Sequence, residues 1–269
     1  MTAFQERPSN HILGGRSLFS FVDSPINIVY LRWANHMRLA IISDIHANLE
    51  ALTATLAHIA KQQIDRVVCL GDIVGYGADP AECLRLVRDQ CDTIIIGNHD
   101  IAAVNLKKAD DFNANARIAA RWTNGVLSED EKNYLQDLPF TVELENLLLV
   151  HGSPFEPEEF HYVLSTRDAL DAMDYFTQKI CFIGHSHVPG IFSRAGRAAA
   201  VKPEGRFLVN VGSVGQPRDG NPMLSFGILD TDSWKYENLR LDYDMERAAR
   251  KIIAAGLPPA LGERLMVGM

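Results

Sequence analysis

Five short apolar runs in this chain each end in polar side chains that a buried strand does not need. Leu39-Ala-Ile-Ile-Ser43 runs into Asp44-Ile45-His46, and Val67-Val-Cys-Leu70 into Gly71-Asp72. Thr93-Ile-Ile-Ile96 is followed by Gly97-Asn98-His99-Asp100, and Leu147-Leu-Leu-Val150 by His151-Gly152. Ile180-Cys-Phe-Ile183 leads into Gly184-His185-Ser186-His187. Such runs read as buried strands. They alternate with stretches of helical spacing, which predicts an α/β fold with partly parallel strands. Open sheets of this kind bind ligands beyond the carboxyl ends of their strands. The five strands are therefore expected to deliver two Asp, one Asn and five of the nine histidines to one sheet edge.

The intervening segments fit that frame. Leu49, Leu52, Leu56 and Ile59 lie at helical spacing within Ala47–Gln62. Asp79-Pro80-Ala81-Glu82 reads as a helix start with an acidic N-cap, and Ser128-Glu129-Asp130-Glu131 as a capping box inside a helical stretch over 101–138. After Pro139 strands dominate: 140–144, 147–151, 180–184, 189–193, 206–211, 223–230 and 234–240, with a helix near 166–177. A last helix is predicted over Met245–Ala255, with Gly256 as its C-cap and Pro258-Pro259 as its stop. No repeat or linker divides the chain. Regular patterning begins at Met37, so 37–269 reads as one functional domain. Residues 1–36, broken by Gly14, Gly15, Pro25 and Asn27, read as a disordered extension or an over-long start, without the continuous apolar stretch of a signal peptide.

Composition narrows the partners. Lys and Arg number 26 against 34 Asp and Glu, a net charge of −8, with no basic block. That leaves no electrostatic footprint for nucleic acid or an anionic membrane. No apolar run approaches the ~20 residues of a membrane span. The four cysteines form no CxxC pair, so neither a disulfide framework nor a zinc ribbon is indicated, and the chain reads as cytoplasmic. Oligomeric state is left open.

A single Asp or His after a strand is ordinarily a turn former or a hydrogen-bonded edge residue. Five turns converging on imidazole, carboxylate and carboxamide are another matter, because these are the ligand types of a mid-hardness divalent metal. His185 and His187 stand two apart. On an extended chain their side chains diverge, which suits two neighbouring metals better than one.

Asp-x-His, Gly-Asp, Gly-Asn-His-Asp, His-Gly and Gly-His-x-His, in this order, resemble the calcineurin-like metallophosphoesterase superfamily over roughly 37–240. The Val-Gly-Ser-Val-Gly-Gln-Pro-Arg-Asp-Gly run at 211–220 is similar to its compact bacterial and archaeal phosphodiesterase-like branch. The resemblance implies a four-layer α-β-β-α sandwich, two mixed sheets flanked by helices. It implies a first metal on Asp44, His46, Asp72 and His187, and a second on Asp72, Asn98, His151 and His185. Asp72 would bridge them through its two oxygens, and His99 would protonate the leaving group. Asp100 either orients that imidazole or caps the following helix. Asn98 and Arg218 are candidates for substrate contact. Manganese or iron fits a set without cysteine, with zinc, nickel or cobalt as alternatives.

The function implied is a dinuclear metal phosphodiesterase, cleaving a small phosphoester or nucleotide by in-line attack of a hydroxide between the metals. A phosphomonoesterase, a dinucleoside polyphosphate hydrolase, a nuclease or a non-catalytic interaction module are the other readings. Phosphoprotein phosphatases of this superfamily extend the second motif as Gly-Asp-x-x-Asp-Arg-Gly. Here Gly75 and Tyr76 replace the Asp and Arg, which favours a less charged diester. Tyr76 either stacks on an aromatic leaving group or packs within its loop. Specificity is expected in the 101–138 segment and the 154–165 loop.

Overall fold

The computed structural model describes residues 28–31, 37–144 and 146–269. In chain order the elements are β1 (Ile28–Leu31), β2 (Arg38–Ile42), α1 (Leu49–Ile59), β3 (Arg66–Cys69), α2 (Pro80–Gln90), β4 (Thr93–Ile94) and α3 (Asn98–Val104). There follow α4 (Ala114–Val126), α5 (Glu129–Gln136), β5 (Thr141–Leu144), β6 (Leu147–Val150), α6 (Thr166–Ala172), β7 (Ile180–Ile183), β8 (Gly190–Ser193), β9 (Gly196–Arg197) and β10 (Phe207–Asn210). The chain ends with β11 (Leu224–Asp230), β12 (Lys235–Leu241), α7 (Met245–Ala254) and α8 (Pro259–Glu263).

The strands form two mixed sheets, ordered β1-β5-β6-β7-β10-β8-β9 and β12-β11-β2-β3-β4. Side-chain alternation along each strand explains why they stack. In β2, Leu39 and Ile41 join Val68, Leu70, Val142, Leu149, Phe182 and Val209 in the layer between the sheets. Ala40 and Ile42 face the other way, into a cluster with Leu52 and Ile59 of α1 and Leu84 and Val87 of α2. On the outer face of the larger sheet, Leu148, Val150, Cys181 and Leu208 pack against Ala169 and Ala172 of α6. The result is helix, sheet, sheet, helix, the four-layer sandwich expected.

Local departures have local causes. The 101–138 stretch is three helices and a short 3-10 turn, interrupted at Asn105 and Asn113, whose side chains cap the elements that follow. Asp79 precedes α2 but makes no side-chain cap, because its carboxylate is drawn to Lys251. Gly256 adopts a positive φ of 75° after α7, as expected. Pro259 does not only stop α7; it opens α8, where the missing N–H costs nothing. Of the expected N-terminal extension, Ile28–Leu31 pairs in parallel with Thr141–Leu144, and the remainder lies outside the described residues.

Candidate metal centre

The polar ends of the five strands meet, but from two sheets and not from one sheet edge. Asp44 and His46 follow β2, Asp72 follows β3, and Asn98 and His99 open α3 after β4, all on the smaller sheet. His151 follows β6, and His185 and His187 follow β7, on the larger one. A hydrogen bond of 2.8 Å from the His151 ring to the Leu70 carbonyl spans the seam.

Sharp reversals aim these side chains. Asp44, His46, Asp72, His185 and His187 have φ of 53°, 50°, 51°, 65° and 61°. Non-glycine residues rarely occupy this left-handed region, and they concentrate at functional sites. The chain at His185–His187 is thus not extended as the sequence reading supposed; the two rings part because of consecutive turns. Two glycines supply clearance. A Cβ on Gly97 would stand 2.1 Å from Asp72 Oδ1, and one on Gly184 2.3 Å from Asp44 Oδ2.

The donor atoms fall into two groups, Asp44, His46, Asp72 and His187, and Asp72, His151 and His185, with all atoms of a group within 4.8 Å of one another. Asp72 belongs to both, in a manner different from the expected use of two oxygens. Its Oδ1 accepts the His99 backbone N–H at 2.8 Å. Its Oδ2 faces both groups, 3.6 Å from His46 Nε2 and 3.3 Å from His151 Nε2.

These atoms fit divalent ions. The Nδ1 atoms of His46, His151 and His187 meet the carbonyls of Val74, Leu70 and Gln216 at 3.3, 2.8 and 2.5 Å. Each bond keeps a proton on Nδ1 and leaves Nε2 facing inward, the atom that ligates a metal once unprotonated. His46 Nε2 and His187 Nε2 stand 3.1 Å apart. Asn98 Oδ1, His151 Nε2 and His185 Nε2 are buried without hydrogen-bond partners, a costly state for polar atoms unless a cation satisfies them.

Charge tells the same story. Burial pushes the His185 ring down to about 3 and His99 down to about 4, favouring the neutral form. His151 is the exception. Burial acts downward, but the Asp72 carboxylate outweighs it and lifts the ring to about 9. Asp44 and Asp72, despite burial, are held well below the usual carboxylate range by the surrounding histidines.

The other candidates divide. His99 is buried, its ring 4.3 Å from that of Tyr76 and 4.6 Å from that of Phe112. Asp100 spends both oxygens on backbone: Oδ1 accepts from Ile73 and Val74, Oδ2 from Gly97. It is the N3 acid of the α3 capping box, so the capping alternative is the one its hydrogen bonds make. Tyr76 is 5% exposed, too covered to stack on a substrate. Arg218 Nη2 donates to Gln216 Oε1 at 2.9 Å. His161 pairs with Glu156 at 3.0 Å and joins neither donor group.

Three features escaped the motifs. Asn210 donates to the Gly184 carbonyl and Ser186 Oγ, bracing the two-histidine turn. Ser213 Oγ donates to the Asp44 carbonyl at 2.7 Å. Tyr162 stacks on the His185 ring with centroids 3.8 Å apart and is half exposed. Asn210 lies in a predicted strand, Ser213 in the run at 211–220 and Tyr162 in the 154–165 loop, and no local pattern marks their contacts with the site. Among the described residues no helix is long and apolar enough to cross a membrane.

A model of the calcineurin-like phosphoesterase superfamily domain matches residues 37–234. An uncharacterized protein of Methanocaldococcus jannaschii is 39% identical over 241 residues, 86% of this chain and 98% of that one. The crystal structure of a metallophosphoesterase from Sphaerobacter thermophilus is 36% identical, with a TM-score of 0.78 over 87% of this chain and all of that one. A hypothetical protein from Pyrococcus horikoshii shares the fold at 20% identity, with a TM-score of 0.73 over 86% of this chain and 98% of that one.

Proposed function

Because this chain belongs to the calcineurin-like phosphoesterase superfamily and carries the site of a metal-dependent hydrolase, we propose that it is a phosphodiesterase acting on a small phosphodiester or nucleotide. The observation that carries this reading is Asp72 Oδ2, which faces both donor groups at once. Asp44, His46, Asp72 and His187 are the ligands of one ion, and Asp72, Asn98, His151 and His185 of the second. Oxygen and nitrogen donors without thiolate support manganese or iron. Bound divalent ions neutralise the ester's charge and supply a nucleophile that ionises near neutral pH.

The protein's own groups then orient the ester and stabilise the charge that develops on it. With its pKa near 4, set first by burial, the His99 ring is neutral at pH 7 and carries one N–H. It donates that hydrogen bond to the leaving-group oxygen and stabilises the negative charge that develops there, the proton staying on the ring. Asp100 holds the start of α3, and with it His99, against the loop that carries Asp72. The preference for a diester rests on the second motif. No guanidinium issues from the Gly75-Tyr76 loop to grip a dianionic monoester.

Chelated protein resupplied with Mn²⁺ tests the reading, on bis-p-nitrophenyl phosphate beside p-nitrophenyl phosphate. Metal-restored cleavage of the diester above the monoester is expected. Monoester preference would replace the reading with a phosphomonoesterase, and inactivity with two ions bound would overturn it. His99→Ala should retain metal and lose about 10²–10⁴-fold in turnover, less for nitrophenolate than for a poor leaving group.

A further inference from the structure

We propose that Arg218 and Arg264 form an anion subsite beside the metal-ligand groups, so that the substrate carries a second phosphate next to the scissile one. This deepens the reading above and rests on it.

The two guanidiniums come from separate parts of the chain. Arg218 lies in the loop between β10 and β11, and Arg264 opens the 3-10 turn Arg264–Val267 near the end of the described chain. Their Cζ atoms stand 5.7 and 5.8 Å from the centroid of the Tyr76 ring. That ring is 4.7 Å from the ring of His46 and 4.3 Å from that of His99. Two cations therefore sit one aromatic ring away from a proposed metal ligand and the ring proposed to hydrogen-bond the leaving group.

Neither cation is neutralised by a side chain. In a chain of net charge −8, Arg66 pairs with Asp92, Arg194 with Asp174 and Arg240 with Asp219. Among the described residues neither Arg218 nor Arg264 pairs with an Asp or Glu side chain. Arg218 Nε is buried with no acceptor, an unfavourable state for such a donor. Burial and the charge of Arg218 together lower the Arg264 pKa. The orphaned Arg218 Nε, with a second guanidinium at the same aromatic ring, offers an arriving anion a donor that no protein acceptor satisfies. The planar guanidinium fork matches the oxygens of a phosphate.

The arrangement is also braced. Gln216 accepts from His187 through its carbonyl and from Arg218 through its side chain, tying one arginine to a metal ligand. Arg264 Nε donates to the terminal main-chain oxygen of Met269, the last residue, and Gly220 N donates to the Gly268 carbonyl at 2.9 Å. The two segments that supply the arginines are thus bonded to each other. The place of the arginines at the ring, beside the donor groups, suits a neighbouring phosphate.

Calorimetric binding of methylenebisphosphonate and methylphosphonate to the manganese-loaded protein tests this, with metal content measured after each titration. The wild type should bind the bisphosphonate about tenfold or more tightly than the monophosphonate. Arg264→Gln and Arg218→Gln should each lose most of that difference, while Arg264→Lys keeps a substantial part of it. Arg218→Gln leaves the contact between Arg264 and Met269 in place, which separates loss of charge from loosening of the terminal turn. Equal affinities in the wild type, or a retained difference in both Gln variants, would overturn the subsite. Binding needs no turnover, so failure of the diesterase reading shows up separately, in the nitrophenyl assays.

Discussion

At the scale of the residue, Asp72 shows how one side chain is committed twice. The His99 N–H requires an acceptor at the Oδ1 position. An asparagine must satisfy that donor with its carbonyl oxygen, which turns its NH₂ toward His46 and His151. Asp72→Asn is therefore expected to abolish metal occupancy in both groups and all hydrolysis, and metal analysis of the purified variant checks it. Two ions still bound to an inactive variant would refute the shared role. His151 supplies a pH-dependent counterpart. Its pKa is raised to about 9, so the metal-free ring is protonated at pH 7 and an incoming ion must displace that proton. Metal affinity should rise with pH up to about 9 and level off above it. Calorimetry at pH 7 in buffers of different ionisation enthalpy should register proton release on loading, and none at pH 10.

At the scale of the element, the strands end where their ligands begin, and the helices that support them are capped by short polar side chains. Ser128 and Glu131 cap α5 reciprocally: Ser128 N donates to Glu131 Oε2 at 2.8 Å, and Glu131 N to Ser128 Oγ at 3.3 Å. Ser128→Ala should cost about 1 kcal/mol in equilibrium unfolding and leave hydrolysis unchanged. Gly184 is the contrasting case. A methyl group there meets Ser43 Oγ at 2.1 Å and Asp44 Oδ2 at 2.3 Å, so Gly184→Ala should weaken metal binding as well as stability. Comparing the two variants by thermal melting and metal content separates a support that acts on folding from one that acts on the site.

At the scale of the whole molecule, the proposed ligands join the two sheets at one end of the sandwich. Asp44, His46, Asp72 and Asn98 belong to the smaller sheet, and His151, His185 and His187 to the larger. Ions held between them bind the folded state and not the separated sheets, so mass action stabilises the fold. Adding Mn²⁺ to chelated wild-type protein should raise the melting temperature in a concentration-dependent way, by the equivalent of about 4 kcal/mol at a thousandfold excess over Kd. Asp72→Asn should show no such rise.

Most of the sandwich and most of the donor set were legible in the sequence, because strand burial and ligand type are written in local order. Apolar runs of four residues followed by Asp, Asn or His announce both a buried strand and a polar turn at its carboxyl end. What the sequence leaves out is everything set by the meeting of distant segments. That the donors come from two sheets follows from strand order, which no single run encodes. The single oxygen by which Asp72 serves both groups follows from the His99 N–H that occupies the other one. The helical turn that uses Asp100 as a cap, and the left-handed turns that part His185 from His187, are backbone conformations selected by packing. Arg218 and Arg264, 46 positions apart in the chain, become neighbours of one tyrosine only because loop and terminal turn are bonded together. Local chemistry determines which groups a chain can offer. The closure of its loops against one another decides which of them share a space.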